Sequence, residues 1–273
     1  EEVAGVTADV LRRDGPTVLQ YGATEGDARL KAQIIAHHDR EDGIKLKPEN
    51  IVITIGSQQG LDLVARIFVD IGDIVIVGLP SYVGGLQAFA GYGARMIGVP
   101  LDDEGTRVDL VERELEKLRK VGKKPKFIYE VPDFQNPAGI TMTEARRLQL
   151  LDLAKRYDTF ILEDSPYREL RYEGEPVKPI YKLDGNGQVI GLYTFSKILF
   201  PGMRLGWVIA DEPIIQKLVT AMQAADLCPP SFNQAIVAEF AARGLLDKHI
   251  ARVQEIYREK RQVMLKALED YMP

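Results

Sequence analysis

One lysine stands where lysine is rare. Lys197 closes the string Thr194-Phe195-Ser196-Lys197, directly after the apolar run Val189–Thr194. Lysine is seldom placed against a core without a partner. The string continues Ile198-Leu199-Phe200-Pro201-Gly202-Met203-Arg204-Leu205-Gly206-Trp207. Pro201 and Gly202 favour a turn that swings Arg204 back toward the lysine. The Thr194 and Ser196 hydroxyls and a guanidinium together make a phosphate clamp, because guanidinium pairs with phosphate through two parallel hydrogen bonds. A lysine in such a site can be desolvated, lose its proton and form an imine. A lone lysine at a strand end is more often a snorkelling surface side chain. The whole string is hard to explain that way.

Four further clusters follow apolar runs. Ile161-Leu162-Glu163-Asp164-Ser165-Pro166-Tyr167 puts a carboxylate at the C-terminal end of a buried strand, where open α/β sheets place their ligands. Asp164 there can supply the counter-charge that keeps a pyridine nitrogen protonated, and Tyr167 can reach a phenolic oxygen on the same ring. Taken alone, Glu-Asp at a strand end is more often a helix N-cap. Gln135-Asn136-Pro137-Ala138-Gly139 reads as an extended residue before proline and then a tight turn, with the Asn136 amide free to donate. Thr54-Ile55-Gly56-Ser57-Gln58-Gln59-Gly60 is a strand-to-helix junction whose backbone amides and Ser57 hydroxyl suit a phosphate. It is neither a P-loop nor the three-glycine dinucleotide fingerprint. Pro80-Ser81-Tyr82 offers an aromatic face to a flat heterocycle. Alone, each of these three stretches reads as well or better as an ordinary turn, a capped helix start or a tyrosine packed on a sheet edge. Their convergence on strand ends carries the reading.

The elements that must position these residues alternate. Ile51–Ile55, Ile74–Val77, Arg95–Val99, Phe127–Val131, Thr159–Glu163, Val189–Thr194 and Gly206–Ala210 read as strands, most of them apolar throughout, as in strands covered on both faces. Ser57–Asp70, Tyr82–Gly91, Leu110–Arg119 and Thr143–Tyr157 read as the helices between them, and Thr143 supplies an N-cap without a capping box. Pro213–Leu227, Ser231–Arg243 and the charged Lys248–Tyr271 complete the helices. The pattern predicts a three-layer α/β/α fold around a mainly parallel seven-stranded sheet.

Composition narrows the class. Of 273 residues, 45% are hydrophobic and 27% charged, which suits a globular chain with a large core. The net charge of −5 and the scattered Lys and Arg argue against a nucleic-acid partner. No apolar run reaches the roughly 18–20 residues that span a bilayer, so no membrane partner is expected. The single cysteine, Cys228, cannot close an internal disulfide and fits a reducing cytoplasm as a small hydrophobe. The chain opens at Glu1 rather than Met and stops at Pro273 after a helical run, as a piece of a longer protein would.

With these residues assembled, the sequence resembles the class I/II aminotransferases, the fold-type I enzymes dependent on pyridoxal 5′-phosphate. Within them it is most similar to the branch of 2-aminoadipate and broad-specificity amino acid aminotransferases. The likeness runs through essentially the whole chain. The Ser-Lys-x-x-x-Pro-Gly-x-Arg-x-Gly-Trp and Gln-Asn-Pro-x-Gly strings carry it. It implies that Lys197 holds the cofactor and shuttles a proton, and that Asp164 pairs with the pyridinium nitrogen. It implies that Asn136 and Tyr167 bind O3′, that Tyr82 stacks on the ring, and that Ser57, Gln58, Thr194, Ser196 and Arg204 hold the phosphate. Thr194 stands where many relatives have serine.

The stretch Tyr21-Gly22-Ala23-Thr24-Glu25-Gly26, ahead of a helix with Arg29 and Leu30, matches the one whose tyrosine reaches the partner subunit's phosphate. A homodimer with shared sites, with Tyr21 acting in trans, is implied. The expected reaction is ping-pong transfer of an amino group between an L-amino acid and a 2-oxo acid, with 2-oxoglutarate as one partner. Residues 1–245 would form the large cofactor-binding domain, and 246–273 the start of a helix toward a smaller domain. The family's N-terminal arm, and its C-terminal arginine for the substrate carboxylate, find no match in this sequence. Two alternatives share the fold: the sensor domain of a transcription regulator, and a lyase using the same cofactor.

Overall fold

The computed structural model describes residues 1–272. Its strands are β1 (Ile51–Thr54), β2 (Ile74–Leu79), β3 (Arg95–Asp102), β4 (Gly105–Thr106), β5 (Phe127–Glu130), β6 (Phe160–Asp164), β7 (Val189–Thr194) and β8 (Gly206–Ile209). They form one sheet in the order β1-β8-β7-β6-β5-β2-β3-β4. The centre, β7-β6-β5-β2-β3, is parallel, while β1–β8, β8–β7 and β3–β4 pair antiparallel. All seven expected strands are present, and the count of seven is corrected to eight. The extra strand, β4, is too short to show any periodicity and hydrogen-bonds to the far end of β3.

Ten helices cover the sheet among the described residues: α1 (Glu2–Val18), α2 (Ala28–Asp42), α3 (Ser57–Phe68), α4 (Val83–Gly91), α5 (Val108–Lys120), α6 (Glu144–Tyr157), α7 (Ile180–Leu183), α8 (Glu212–Asp226), α9 (Ser231–Ala242) and α10 (Leu245–Tyr271). Side chains alternate across a strand, so each strand feeds both faces. Val52, Val75, Val77, Leu162, Ile190 and Val208 pack one face against α3, α4 and α8. On the other face, Ile76, Ile128, Ile161 and Val189 meet α5, α6 and α7. Beside them, Ile51, Ile53, Tyr193, Trp207 and Ile209 meet α1, α2, α9 and the first turns of α10. This double cover explains why the strands read as unbroken apolar runs.

Local signals hold where expected. The Thr143 hydroxyl accepts from the Arg146 amide and starts α6. Tyr82 caps α4 from outside rather than opening it. The last helix begins at Leu245, earlier than the expected Lys248, after Gly244 in the left-handed region. Its later residues, among them Val263, Met264 and Leu268, are exposed. Among the described residues no helix is long and apolar enough to cross a membrane.

Candidate active site

The parallel strands deliver their C-terminal ends to one edge of the sheet. Asp164 is the last residue of β6 and Thr194 the last of β7. Tyr82 and Asn136 lie on the loops after β2 and β5, and Ser57 opens α3 after β1. A cavity of about 180 Å³ collects them. Every residue singled out from the sequence lines it, with the exception of Tyr21. Val131, Pro166 and Pro201 fill the gaps.

At one end the groups suit an anion. Thr194 Oγ1 lies 3.0 Å from Ser196 Oγ and accepts from the Ser196 amide at 3.1 Å. Arg204 Nη1 donates to Ser196 Oγ at 3.5 Å. Arg204 has φ 52°, ψ 51°, a left-handed conformation that folds the guanidinium back over the strand end. A non-glycine residue held there is strained, as residues at functional sites often are. The start of α3 completes this end. Gly56 has φ 76°, and a β-carbon on it would stand 3.0 Å from Arg204 Nη2. A β-carbon on Gly206 would stand 2.7 Å from the Tyr193 carbonyl and 2.8 Å from the Ser57 amide nitrogen. Only glycine lets β8 and the first turn of α3 approach so closely. The first turn of a helix has N–H groups with no helical partner, which suits an anion bound there.

At the other end is a carboxylate. Asp164 is 3% exposed. Tyr129 Oη donates to Asp164 Oδ2 at 2.8 Å, while Asp164 Oδ1 is buried with no partner. Burial pushes the Asp164 carboxyl up to about 7, against the lowering effect of the Tyr129 hydrogen bond. Burial and the nearby Asp164 charge push the Tyr129 phenol well above its ordinary value, so it stays a donor.

Between the ends lie flat and polar groups. Tyr82 Oη donates to Gln58 Oε1 at 3.1 Å, and Gln58 Nε2 donates to the Gly84 carbonyl at 2.8 Å. Gln58 thereby fixes the Tyr82 ring. Asn136 Nδ2 donates to Tyr167 Oη at 3.3 Å. Burial raises the Tyr167 phenol, and the Asn136 hydrogen bond pulls it back. Gln135 ties two loops together: its Nε2 donates to the Pro80 carbonyl at 2.6 Å, and its Oε1 accepts from the Ala138 amide at 2.9 Å.

A buried ion pair supports the Asn136 loop from below. Arg147, fully buried, donates to both Asp133 oxygens and to the carbonyls of Pro132, Met142 and Lys178.

One expectation is corrected. Lys197 lines the cavity but is exposed, so the desolvation expected for it is absent in the chain alone. Tyr21, expected to act in a partner subunit's site, is 85% exposed on the loop before α2 and does not line this chain's own cavity. Two supporting residues escaped the sequence reading. Tyr129 looks like any aromatic inside a buried strand, and only the register of β5 beside β6 reveals its contact. Gln135 was visible in the Gln-Asn-Pro string, but its link to Pro80 is not local. Among the described residues no cluster of His, Cys, Asp and Glu could hold a metal ion.

Comparison with known proteins agrees with this geometry. The family model for aminotransferase class I and II matches residues 1–271. The chain is 48% identical to aromatic-amino-acid aminotransferase 1 of Thermococcus litoralis, over all of this chain and 66% of that protein. It is 39% identical to 2-aminoadipate transaminase of Thermus thermophilus, again over all of this chain and 66% of the relative. Among solved structures, Pyrococcus horikoshii kynurenine aminotransferase in complex with PMP superposes with a TM-score of 0.95 at 45% identity, over 99% of this chain and 67% of that one. The chain thus spans about two thirds of the length of these relatives. It belongs to the class I and II aminotransferase family.

Proposed function

We propose that the chain holds pyridoxal 5′-phosphate and serves the transfer of an amino group between an L-amino acid and a 2-oxo acid, with 2-oxoglutarate as one acceptor. The observation that carries this reading is the meeting, in one cavity, of Lys197, a buried carboxylate with one unsatisfied oxygen, and a guanidinium beside two hydroxyls. The fit is chemical as well as geometric. Asp164 Oδ1 needs a donor, and a protonated pyridine nitrogen is one. Its positive charge would also lower the Asp164 carboxyl and keep it ionised. Ser57, Gln58, Thr194, Ser196 and Arg204 offer donors to a phosphate.

When bound, the cofactor supplies an electron sink for charge that develops at the substrate α-carbon. The side chains do the rest. Lys197 anchors the cofactor, then takes the α-proton on Nζ and returns it as general base and acid. Asp164 holds a proton on the ring nitrogen. Asn136 and Tyr167 hold the ring's phenolic oxygen, and Tyr82 covers one ring face. Tyr21, on the surface in this chain, reaches the phosphate of a partner subunit in a homodimer with shared sites. Cover from that partner would also dry the Lys197 amine. Residues 1–245 form the cofactor-binding domain in this reading, and α10 leads toward a smaller one.

An amino-donor screen with 2-oxoglutarate tests the reaction. A matched amino acid and 2-oxo acid pair is expected as product. Release of ammonia with no glutamate formed would show elimination chemistry and overturn the transfer.

A further inference from the structure

We propose that Tyr129 is a positioning residue for Asp164: its hydroxyl occupies Oδ2, favours the ionised form of the carboxylate and leaves Oδ1 as the oxygen offered to the cavity. The inference rests on the proposed cofactor reading and deepens it.

Tyr129 is fully buried in β5, and Asp164 ends the neighbouring parallel strand β6. The register pairs Tyr129 with Leu162, so Asp164 lies two residues further along the same face. The phenol spans that offset and donates at 2.8 Å. Its direction is fixed by packing. Phe89 and Tyr129 meet edge to face at 5.1 Å, and α4 crosses the phenol at Gly85, where a β-carbon would stand 3.0 Å from the hydroxyl. A larger residue at 85 would displace the donor. Among the described residues, Tyr129 is the only hydrogen-bond partner of the Asp164 side chain. A buried carboxylate with no donor tends to take up a proton. A neutral acid gives no counter-charge to a ring cation, so loss of the Tyr129 hydroxyl should weaken recognition of a protonated ring nitrogen and nothing else.

Binding of pyridoxal phosphate and of its 1-deaza analogue, which has C–H in place of the ring nitrogen, separates these effects. The full chain, Tyr129→Phe and Asp164→Asn are compared by equilibrium titration. Tyr129→Phe keeps the ring that packs on Phe89. The unaltered chain should prefer the natural cofactor, Asp164→Asn should abolish the preference, and Tyr129→Phe should reduce it roughly tenfold, the worth of one hydrogen bond to a charged group. Equal loss for both ligands, or no loss, in Tyr129→Phe would make Tyr129 a packing residue and overturn the proposal. A full preference in Asp164→Asn would instead refute the pairing of Asp164 with the ring nitrogen. A measurement on the unaltered chain stands beside these. The 13Cζ resonance of Tyr129 should differ between the two ligand complexes, and identical shifts would count against the proposal.

Discussion

Tyr129 and Asp164, on adjacent strands, share one hydrogen bond of 2.8 Å, and the second oxygen of Asp164 is buried with no partner. The carboxyl is raised from 3.8 to about 7 by burial. A folded-state value above the unfolded one means the native chain binds the proton more tightly. The stability contribution is therefore full below about pH 4 and is lost as pH rises through about 7. In the cofactor-free chain, the stability of Asp164→Asn relative to the unaltered chain should rise by roughly 2–4 kcal/mol between pH 4 and pH 8. Urea unfolding at the two pH values checks this. A pH-independent difference would show that Asp164 is not held protonated by burial.

Arg204 is the cationic part of the anion end. Arg204→Gln keeps a polar side chain but removes the charge and one arm of the fork. Affinity for pyridoxal phosphate should fall by roughly one to two orders of magnitude, from loss of charge-assisted hydrogen bonds. Affinity for pyridoxal, which lacks the phosphate, should change little. Parallel titrations decide it, and an equal fall for both ligands would place Arg204 outside the phosphate site.

Arg147 and Asp133 form a pair with side-chain exposures of 0% and 1%. Arg147→Ala would remove the two hydrogen bonds to Asp133, leaving it the longer ion pairs to Arg171 at 3.5 Å and Arg168 at 3.8 Å, and would take a donor from the Met142 and Lys178 carbonyls. A cost of about 1.5–3 kcal/mol is expected from the lost hydrogen bonds to a charged group. Arg147→Met, which refills the volume but not the charge, should remain costly because the hydrogen bonds to Asp133 are still lost and only the longer pairs to Arg171 and Arg168 remain. Chemical denaturation measures both, and a change below about 1 kcal/mol in either would contradict the role given to this pair.

Tyr82 separates packing from hydrogen bonding. Tyr82→Phe keeps the ring and loses only the bond to Gln58, so cofactor affinity should fall by no more than roughly tenfold. Tyr82→Ala removes the face itself and should cost more. If the two variants bound alike, Tyr82 would not stack on the ligand.

Much of this site was legible because its residues follow strand ends in short strings, where local turn chemistry and residue type suffice. Lys197, Asp164, Asn136, Arg204 and Tyr82 could be named one string at a time. The apolar runs located seven strands, since two-sided burial writes itself as an unbroken run. What the sequence hides is pairing. Nothing local shows that β8 lies between β1 and β7 and runs against both. The contact of Tyr129 with Asp164 depends on register, a property of two strands together. The α1 helix, with Gly5, Gly15 and Pro16, has weak local helical preference and is held by Val6, Val10 and Val18 packing into the core. The open surroundings of Lys197 could not be read either, because burial depends on what else packs there.

The central claim is that Lys197 is the residue that carries the cofactor. The most direct measurement is reduction with borohydride in the presence of pyridoxal phosphate, followed by peptide mass spectrometry. The peptide containing Lys197 should gain the mass of a reduced cofactor adduct, and Lys197→Ala should abolish the site-specific adduct. An adduct that forms on another lysine, or that persists unchanged in Lys197→Ala, would contradict the assignment.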